Sequence, residues 1–201
     1  MTRKIGMFGG TFNPPHIGHV HAACAASEAL GLEVLFVPDN IPPHKELPRG
    51  SASAQDRFAM TQIAARSVPG AGVSDMELRR GERSYTADTL EELHSLYPDA
   101  MLWLIVGTDM LCTLEHWYRP DRILTLCRVA ALARSEGDHA LIQKYAARLT
   151  ARFGADIDVV DTDPVPISSS QIREGLYHGT EKWLPAGVFA YIKEKGLYLE
   201  T

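Results

Sequence analysis

His16 and His19 stand three residues apart in the segment Gly9-Gly10-Thr11-Phe12-Asn13-Pro14-Pro15-His16-Ile17-Gly18-His19. On a helix that spacing puts both imidazoles on one face. The segment follows the short apolar run Ile5–Phe8 and leads into an apolar-periodic stretch from Ile17, so it reads as a strand end passing into a helix start. Gly9 and Gly10 are expected to let the backbone turn tightly and approach a ligand with no Cβ in the way. The helix start offers unpaired N–H groups and a partial positive charge, which suits an anion such as phosphate. Two imidazoles beside such a cradle can donate hydrogen bonds to a phosphoryl group as its charge shifts. Nucleotidyl transfer needs that chemistry. The plainer alternative is a glycine turn followed by a helix cap.

A second chemical segment lies near the other end, Ile167-Ser168-Ser169-Ser170-Gln171-Ile172-Arg173. Hydroxyls and amides at a helix start can bind phosphate oxygens, and Arg173, one turn in, adds a permanently charged fork. Taken alone, a serine run before a helix is usually only a cap. Between the two segments, Pro42-Pro43-His44-Lys45 carries a lysine that on a loop is ordinarily just solvated, and that next to the phosphate cradle could neutralise the polyphosphate, or the attacking phosphate, as a mobile point charge. Metal ligation by His16 and His19 is not expected, because no further Cys, Asp or His completes a zinc set.

These residues need elements to hold them. Strand-like and helix-like runs alternate along the chain, which predicts an α/β fold with a Rossmann-like, doubly wound, mainly parallel sheet and helices on both faces. Strands are expected at Ile5–Phe8, Glu33–Val37, Gly72–Asp75, Met101–Val106, Arg128–Ala133 and Asp156–Val160. Met101–Val106 is nearly unbroken in its apolar character, as a central strand buried on both faces must be. Helices are expected at Ile17–Leu30, Ala54–Ser67, Thr86–Leu96 with Thr86 as the cap, and around His139–Phe153. Two more should open at Ser168 and span Ala186–Lys195. No repeat or long linker divides the chain, so residues 1–201 are read as a single domain. In such sheets ligands bind beyond the carboxyl ends of strands, where the strand order reverses. Three polar segments follow predicted strands: the histidine segment, Pro38–Lys45 and Gly107-Thr108-Asp109.

The 201 residues suffice for a proper core, and 45% apolar with 22% charged residues is ordinary globular usage. A formal charge of −5 argues against nucleic-acid partners and requires a local positive cluster to receive an anionic substrate. Cys24, Cys112 and Cys127 are odd in number and lack metal or redox spacing, so reduced thiols and a cytoplasmic location are expected. No stretch approaches the roughly 20 apolar residues of a membrane span. The sequence leaves a homo-oligomer open.

The histidine segment resembles the long form GGTF(D/N)PxHxGH of the HxGH nucleotidyltransferase superfamily, typical of the bacterial nicotinate-nucleotide adenylyltransferases. Asn13 stands where that family more often has Asp. Ile167–Arg173 is similar to the family's ISST-x-IR motif, with Ser170 in place of Thr. Arg83-Ser84-Tyr85-Thr86-Ala87-Asp88-Thr89-Leu90, Gly107-Thr108-Asp109 and Leu114-Glu115-His116-Trp117 resemble its SYT-x-DTL, G-x-D and L-x-x-W segments, and Pro42–Lys45 its PPHK. The resemblance runs from Ile5 to Tyr198, and is weakest between Arg134 and Asp163. It implies transfer of the adenylyl group of ATP to nicotinate mononucleotide. His16, His19, Lys45 and Arg173 would carry the chemistry, and Gly9, Gly10, Thr11, Phe12 and Ser168–Ser170 would complete the ATP site. Asn40, Lys45, Tyr85, Thr86, Asp109 and Trp117 would receive the mononucleotide, with Trp117 facing a cationic pyridinium ring. Arg134 sits where the family often has Arg-Pro-Gly, but here the run is Arg-Ser-Glu-Gly. Mg2+ would be carried by the ATP phosphates. The rival readings are another phosphate acceptor (nicotinamide mononucleotide, or phosphopantetheine) and a catalytically silent nucleotide sensor.

Overall fold

The computed structural model describes residues 2–43, 46–133, 135–163 and 165–199. Lys45 and Arg134 therefore lie outside the described residues. In chain order the elements are β1 (Lys4–Gly10), α1 (Ile17–Leu30), β2 (Glu33–Pro38), α2 (Ala54–Ala65), β3 (Gly72–Val73), α3 (Met76–Arg80) and α4 (Thr86–Leu96). There follow β4 (Met101–Gly107), α5 (Thr108–Thr113), α6 (Pro120–Leu126), β5 (Arg128–Ala133), α7 (Glu136–Phe153), β6 (Ile157–Asp161), α8 (Ser169–Gly175) and α9 (Val188–Lys195). The strands form a six-stranded sheet ordered β3-β2-β1-β4-β5-β6. β1 pairs with β4, β4 with β5 and β5 with β6, each in parallel. The order reverses between β1 and β4, which makes the sheet doubly wound as the alternation predicts.

The chain divides into two compact units that interleave in sequence. One comprises Met1–Gly9, Ala22–Leu35 and Tyr85–Pro164; the other comprises Gly10–His21, Phe36–Ser84 and Val165–Thr201. In the first unit, β4 and β5 are buried almost end to end, with Leu102–Val106 and Val129–Ala133 all enclosed. Gly6 belongs here for a steric reason. A Cβ on it would stand 2.9 Å from Ile105 Cδ1 and 3.0 Å from Leu32 Cδ1, closer than packed carbons tolerate. In the second unit, Met60 and Ala64 of α2 pack with Ile172 of α8, Leu176 just beyond it, Val188 and Ile192 of α9, and Tyr198.

Several expectations are corrected in detail. Thr86 is not the cap of α4: Tyr85 occupies the cap position with extended backbone and no side-chain bond, and Thr86 is the first helical residue. α3, α5 and α6 have five, six and seven residues, too short to show a period in sequence.

Candidate active site

The histidine segment begins where β1 ends, and its turn is not made by the glycines. Gly9 and Gly10 are the last residues of the strand, and the left-handed residue is Phe12, at φ +48°. A bulky residue holds that conformation only where its surroundings fix it. Phe12 is 2% exposed and its ring stands edge-on to Phe36 at 5.8 Å and to His19 at 5.0 Å. Gly10 then has to be glycine, since a Cβ would approach the Phe12 ring to 3.0 Å.

His16 precedes the first turn of α1, and its carbonyl accepts from the N–H groups of His19 and Val20. In return the His16 N–H donates to His19 Nδ1 at 3.1 Å. This is one half of a capping box, the N3 side chain reaching back to the N-cap N–H, with histidine in the role usually taken by Glu or Gln. A backbone N–H can only donate, so Nδ1 of His19 is an acceptor and the neutral ring carries its proton on Nε2. The two imidazoles lie 3.8 Å apart between centroids, tilted by 34°. Gly18 allows this, because a Cβ there would meet the His16 ring at 2.9 Å. The three-residue spacing therefore does bring both rings together at a helix start.

The serine–arginine segment lies in the same unit. Ser168 is a full capping box: its hydroxyl accepts from Gln171 N–H, while its own N–H donates to Gln171 Oε1 at 2.9 Å. The other two serines do different work. Ser169 Oγ donates to the Pro14 carbonyl at 2.8 Å, and Ser170 Oγ accepts from Arg173 Nη2 at 3.1 Å. Arg173 Nη1 donates to the Asn13 carbonyl at 2.6 Å. The start of α8 is thus fastened onto the backbone just ahead of His16. Two ends of the sequence, about 155 residues apart, form one cluster of imidazole, hydroxyl and guanidinium.

Asp39 and Arg57 brace this cluster from beneath, and neither is in the sequence-derived site. Arg57 is wholly buried, and its Nη1 reaches Asp39 Oδ1 at 2.7 Å and the Thr11 carbonyl at 2.7 Å. Its Nη2 donates to the Asn40 carbonyl at 3.0 Å. Asp39 Oδ2 accepts from Thr11 Oγ1 at 2.7 Å, and its N–H bonds the Gly10 carbonyl. The loops after β1 and β2 are thereby tied to each other through α2. The available signal was Arg57's position on α2: with Met60, Thr61 and Ala64 it falls on the inward face, where a charge requires a buried partner. Asn40 is held by its backbone N–H on Ser84 Oγ at 2.9 Å.

The remaining predicted site residues belong to the other unit. Tyr85, half-buried, packs against Tyr118 at 4.5 Å between ring centroids. Asp109 is exposed in the first turn of α5, whose cap position is Gly107, so it is not the cap. Trp117 is half-buried between α5 and α6, with its indole N–H on Thr113 Oγ1 at 3.2 Å. Thr86 opens α4.

Among the described residues no group of three or more His, Cys, Asp or Glu side chains could hold a metal ion. Nor, among the described residues, is any helix long and apolar enough to cross a membrane.

Comparison with known proteins gives the family and the fold. Residues 7–175 match the cytidylyltransferase-like family model. A probable nicotinate-nucleotide adenylyltransferase of Gloeobacter violaceus is 40% identical over 98% of this chain and 97% of its own length. That of Pseudomonas syringae pv. tomato is 38% identical over 98% and 95%. Among solved structures, the nicotinic acid mononucleotide adenylyltransferase of Plasmodium falciparum, complexed with NaAD, superposes with a TM-score of 0.78 at 18% identity. It covers 98% of this chain and 97% of its own. At that identity the likeness speaks for the fold.

Proposed function

The chain belongs to the cytidylyltransferase-like family and, within it, to the nicotinate-nucleotide adenylyltransferases; on that premise we propose how its own residues carry out the transfer. The reaction joins the 5′-phosphate of nicotinate mononucleotide to the α-phosphorus of ATP, giving nicotinate adenine dinucleotide and pyrophosphate. An oxygen of the mononucleotide phosphate attacks in line, and the bond to the bridging oxygen breaks with its electron pair leaving on pyrophosphate. No protein nucleophile takes part, so catalysis is positioning and electrostatic stabilisation.

The observation that carries this reading is the bond from His16 N–H to His19 Nδ1, which commits His19 to presenting Nε2–H as a donor. That hydrogen bond strengthens as negative charge builds on the reacting phosphoryl oxygens. Arg173 and the hydroxyls around it would hold the β- and γ-phosphates of the leaving group. Gly9, Gly10, Thr11 and Phe12 would border the nucleotide, and Lys45 would add a positive charge. The acceptor's pyridinium ring would meet Trp117 and Tyr85, with Thr86, Asn40 and Asp109 as polar partners.

Mg2+ fits this set only as a passenger. Among the described residues the carboxylate bracing the cluster, Asp39, is already bonded to Arg57 and Thr11, and the other groups are imidazole, hydroxyl and guanidinium. When bound to the phosphates the ion would neutralise their charge, held by phosphate oxygens and water. We place the enzyme in the cytoplasm, and residues 1–201 work as a single adenylyltransferase domain.

Pyrophosphate release from ATP, measured with nicotinate mononucleotide, nicotinamide mononucleotide and phosphopantetheine in turn, tests the reading. The expected result is release with the nicotinate compound at a kcat/KM at least tenfold above the others. A preference for the amide or for phosphopantetheine would overturn the acceptor. No release with any of them would point to a nucleotide sensor.

A further inference from the structure

Asn13 is 3% exposed and Tyr198 5% exposed, and they meet across 185 residues of sequence. Tyr198 Oη donates to Asn13 Oδ1 at 2.8 Å. The Ala52 N–H donates to the same oxygen at 3.3 Å, which fixes the orientation of the amide because a backbone N–H cannot accept. Asn13 Nδ2 donates to Ser51 Oγ at 2.8 Å. Both lone pairs of the amide oxygen are therefore engaged. The backbone of the same short stretch is gripped from α8, by Arg173 at the Asn13 carbonyl and by Ser169 at the Pro14 carbonyl.

Tyr198 is itself firmly placed. It sits in the core formed by Ile172, Leu176, Val188 and Ile192, in a turn where its φ is +60°. A non-glycine residue keeps such a backbone only when its surroundings over-determine it. Burial raises the pKa of the phenol above its ordinary value, against the opposing pull of Arg173 and Arg57, so the hydroxyl stays protonated and donates.

We propose that Asn13 and Tyr198 are positioning residues, a clasp that fixes the register between the histidine segment and the serine–arginine helix. The inference rests on the reading of the chain as an adenylyltransferase. One triphosphate has to meet donors from both segments at once: His16 and His19 at the reacting phosphorus, Ser170 and Arg173 at the leaving group. The two segments touch at the carbonyls of Asn13 and Pro14, and Tyr198 prevents the Asn13 side chain from turning. A misplacement of about 1 Å at such a junction costs up to roughly 10²-fold in rate, because the in-line geometry is lost while ground-state contacts can readjust. The loss therefore falls on kcat. Asp, the commoner family residue at this position, keeps both acceptor bonds and differs only toward Ser51.

The test is steady-state kinetics of Tyr198→Phe, Asn13→Ala and Asn13→Asp on the full chain, at a temperature where thermal melts show each variant folded. Tyr198→Phe and Asn13→Ala should each lower kcat about tenfold, while KM for nicotinate mononucleotide stays within about twofold. Asn13→Asp should restore kcat to within about threefold of the parent. A Tyr198→Phe variant that melts earlier yet keeps the parental kcat would reduce the clasp to a stabilising contact and overturn the proposal. So would an Asn13→Asp variant as slow as Asn13→Ala. Should Tyr198→Phe not fold, Ser51→Ala removes only the hydroxyl beneath Asn13 Nδ2, and a drop in kcat of about threefold is expected, with no drop counting against the clasp. If the parent enzyme releases no pyrophosphate with any acceptor, the adenylyl-transfer reading fails separately. Amide hydrogen exchange then decides the clasp: faster exchange of the Ala52 amide and of the start of α8 in Tyr198→Phe supports it, and unchanged exchange refutes it.

Discussion

Replacing Arg57 with Met should be among the most damaging single changes in the second unit, although Arg57 is buried beneath the site and touches no substrate in the proposed mechanism. The side chain of Arg57 has no exposed surface, and that of Asp39 is 10% exposed. At 2.7 Å and an effective dielectric of about 20 their attraction is on the order of 6 kcal/mol, before the cost of taking both charges from water is subtracted. The net value of the intact pair is therefore small, but the two halves are not separable. Met fills much of the volume of Arg57 and leaves the Asp39 carboxylate enclosed without its cation, a change that typically costs about 3–5 kcal/mol. For a chain of this length each kcal/mol moves the midpoint by about 2–4 °C, so Arg57→Met should melt about 6–20 °C earlier.

The reasoning is sharper in the double variant. Asp39→Asn alone strands a buried guanidinium and should cost a similar amount. Arg57→Met combined with Asp39→Asn removes both charges and should cost less than the two single changes together, by about 2 kcal/mol or more. Urea unfolding at pH 7, followed by far-ultraviolet circular dichroism, measures all four proteins. Two results would refute the argument: a loss below about 1 kcal/mol for Arg57→Met, or strict additivity in the double variant. Either would mean that water reaches Asp39 or that Thr11 alone suffices to hold it.

Three further outcomes are expected. His19→Ala should lower kcat by roughly 10²-fold or more, the scale for a lost transition-state donor, and an unchanged kcat in a pyrophosphate-release assay would remove His19 from the chemistry. Trp117→Ala should raise KM for nicotinate mononucleotide about tenfold with kcat little changed, the pattern of lost uniform binding, whereas an effect confined to the KM for ATP would misplace the pyridine ring. Asp158 bridges two strands, accepting from Arg128 Nε and Nη2, each at 3.0 Å, and from the Trp103 indole at 2.8 Å. The Arg128 hydrogen bonds hold its carboxyl below the usual carboxylate range; the Trp103 bond and the Arg128 and Lys4 charges add to this, and burial opposes it. A depressed folded-state pKa gives stability that is present above the ordinary value of about 4 and is lost as pH falls through the lowered value. The advantage of the parent over Asp158→Asn in thermal melts should thus be full at pH 7 and shrink below about pH 4, and a gap independent of pH would contradict it.

What the sequence made legible depended on how far away each residue's partners lie. β4 and β5 announce themselves because burial on both faces is written in consecutive residues, and the bounds of α1 and α4 match because their apolar spacing is local. The histidine pair was legible for the same reason: three residues apart on one helix start is a short-range statement. Phe12 was not. The glycines beside it are the natural candidates for a tight turn, and only the rings of Phe36 and His19 explain why a phenylalanine takes the left-handed conformation instead. Arg57 was half legible, as a charge on an apolar face, but its partner 18 residues back was not. Tyr198 could be matched to the family ending, yet its bond to Asn13 spans 185 residues and no local pattern points to it. The roles of the three serines diverge likewise. Ser168 caps α8 through its near neighbour Gln171, a short-range pattern, while Ser169 is defined by a carbonyl at the other end of the chain.

The two arginines near Tyr198 show how a chain of net charge −5 can receive a polyanion. Arg57 is balanced by a carboxylate within 2.7 Å, and its charge is confined to the buried brace. Arg173 bonds instead to a carbonyl and a hydroxyl, partners that orient the guanidinium without neutralising it. A carbonyl and a hydroxyl together also use only two of its five N–H groups, leaving donor capacity for phosphate oxygens. The difference is one of partner type and not of burial alone. Neutral partners hold the arginine that would attract phosphate in the proposed function, and a charged partner holds the one confined to the brace. Local fields of this kind outweigh a modest unfavourable global charge, because the global term is screened within about 8 Å in physiological salt while contact hydrogen bonds are not. On this argument, adding a carboxylate within reach of Arg173 would damage ATP binding far more than adding several acidic residues elsewhere on the surface.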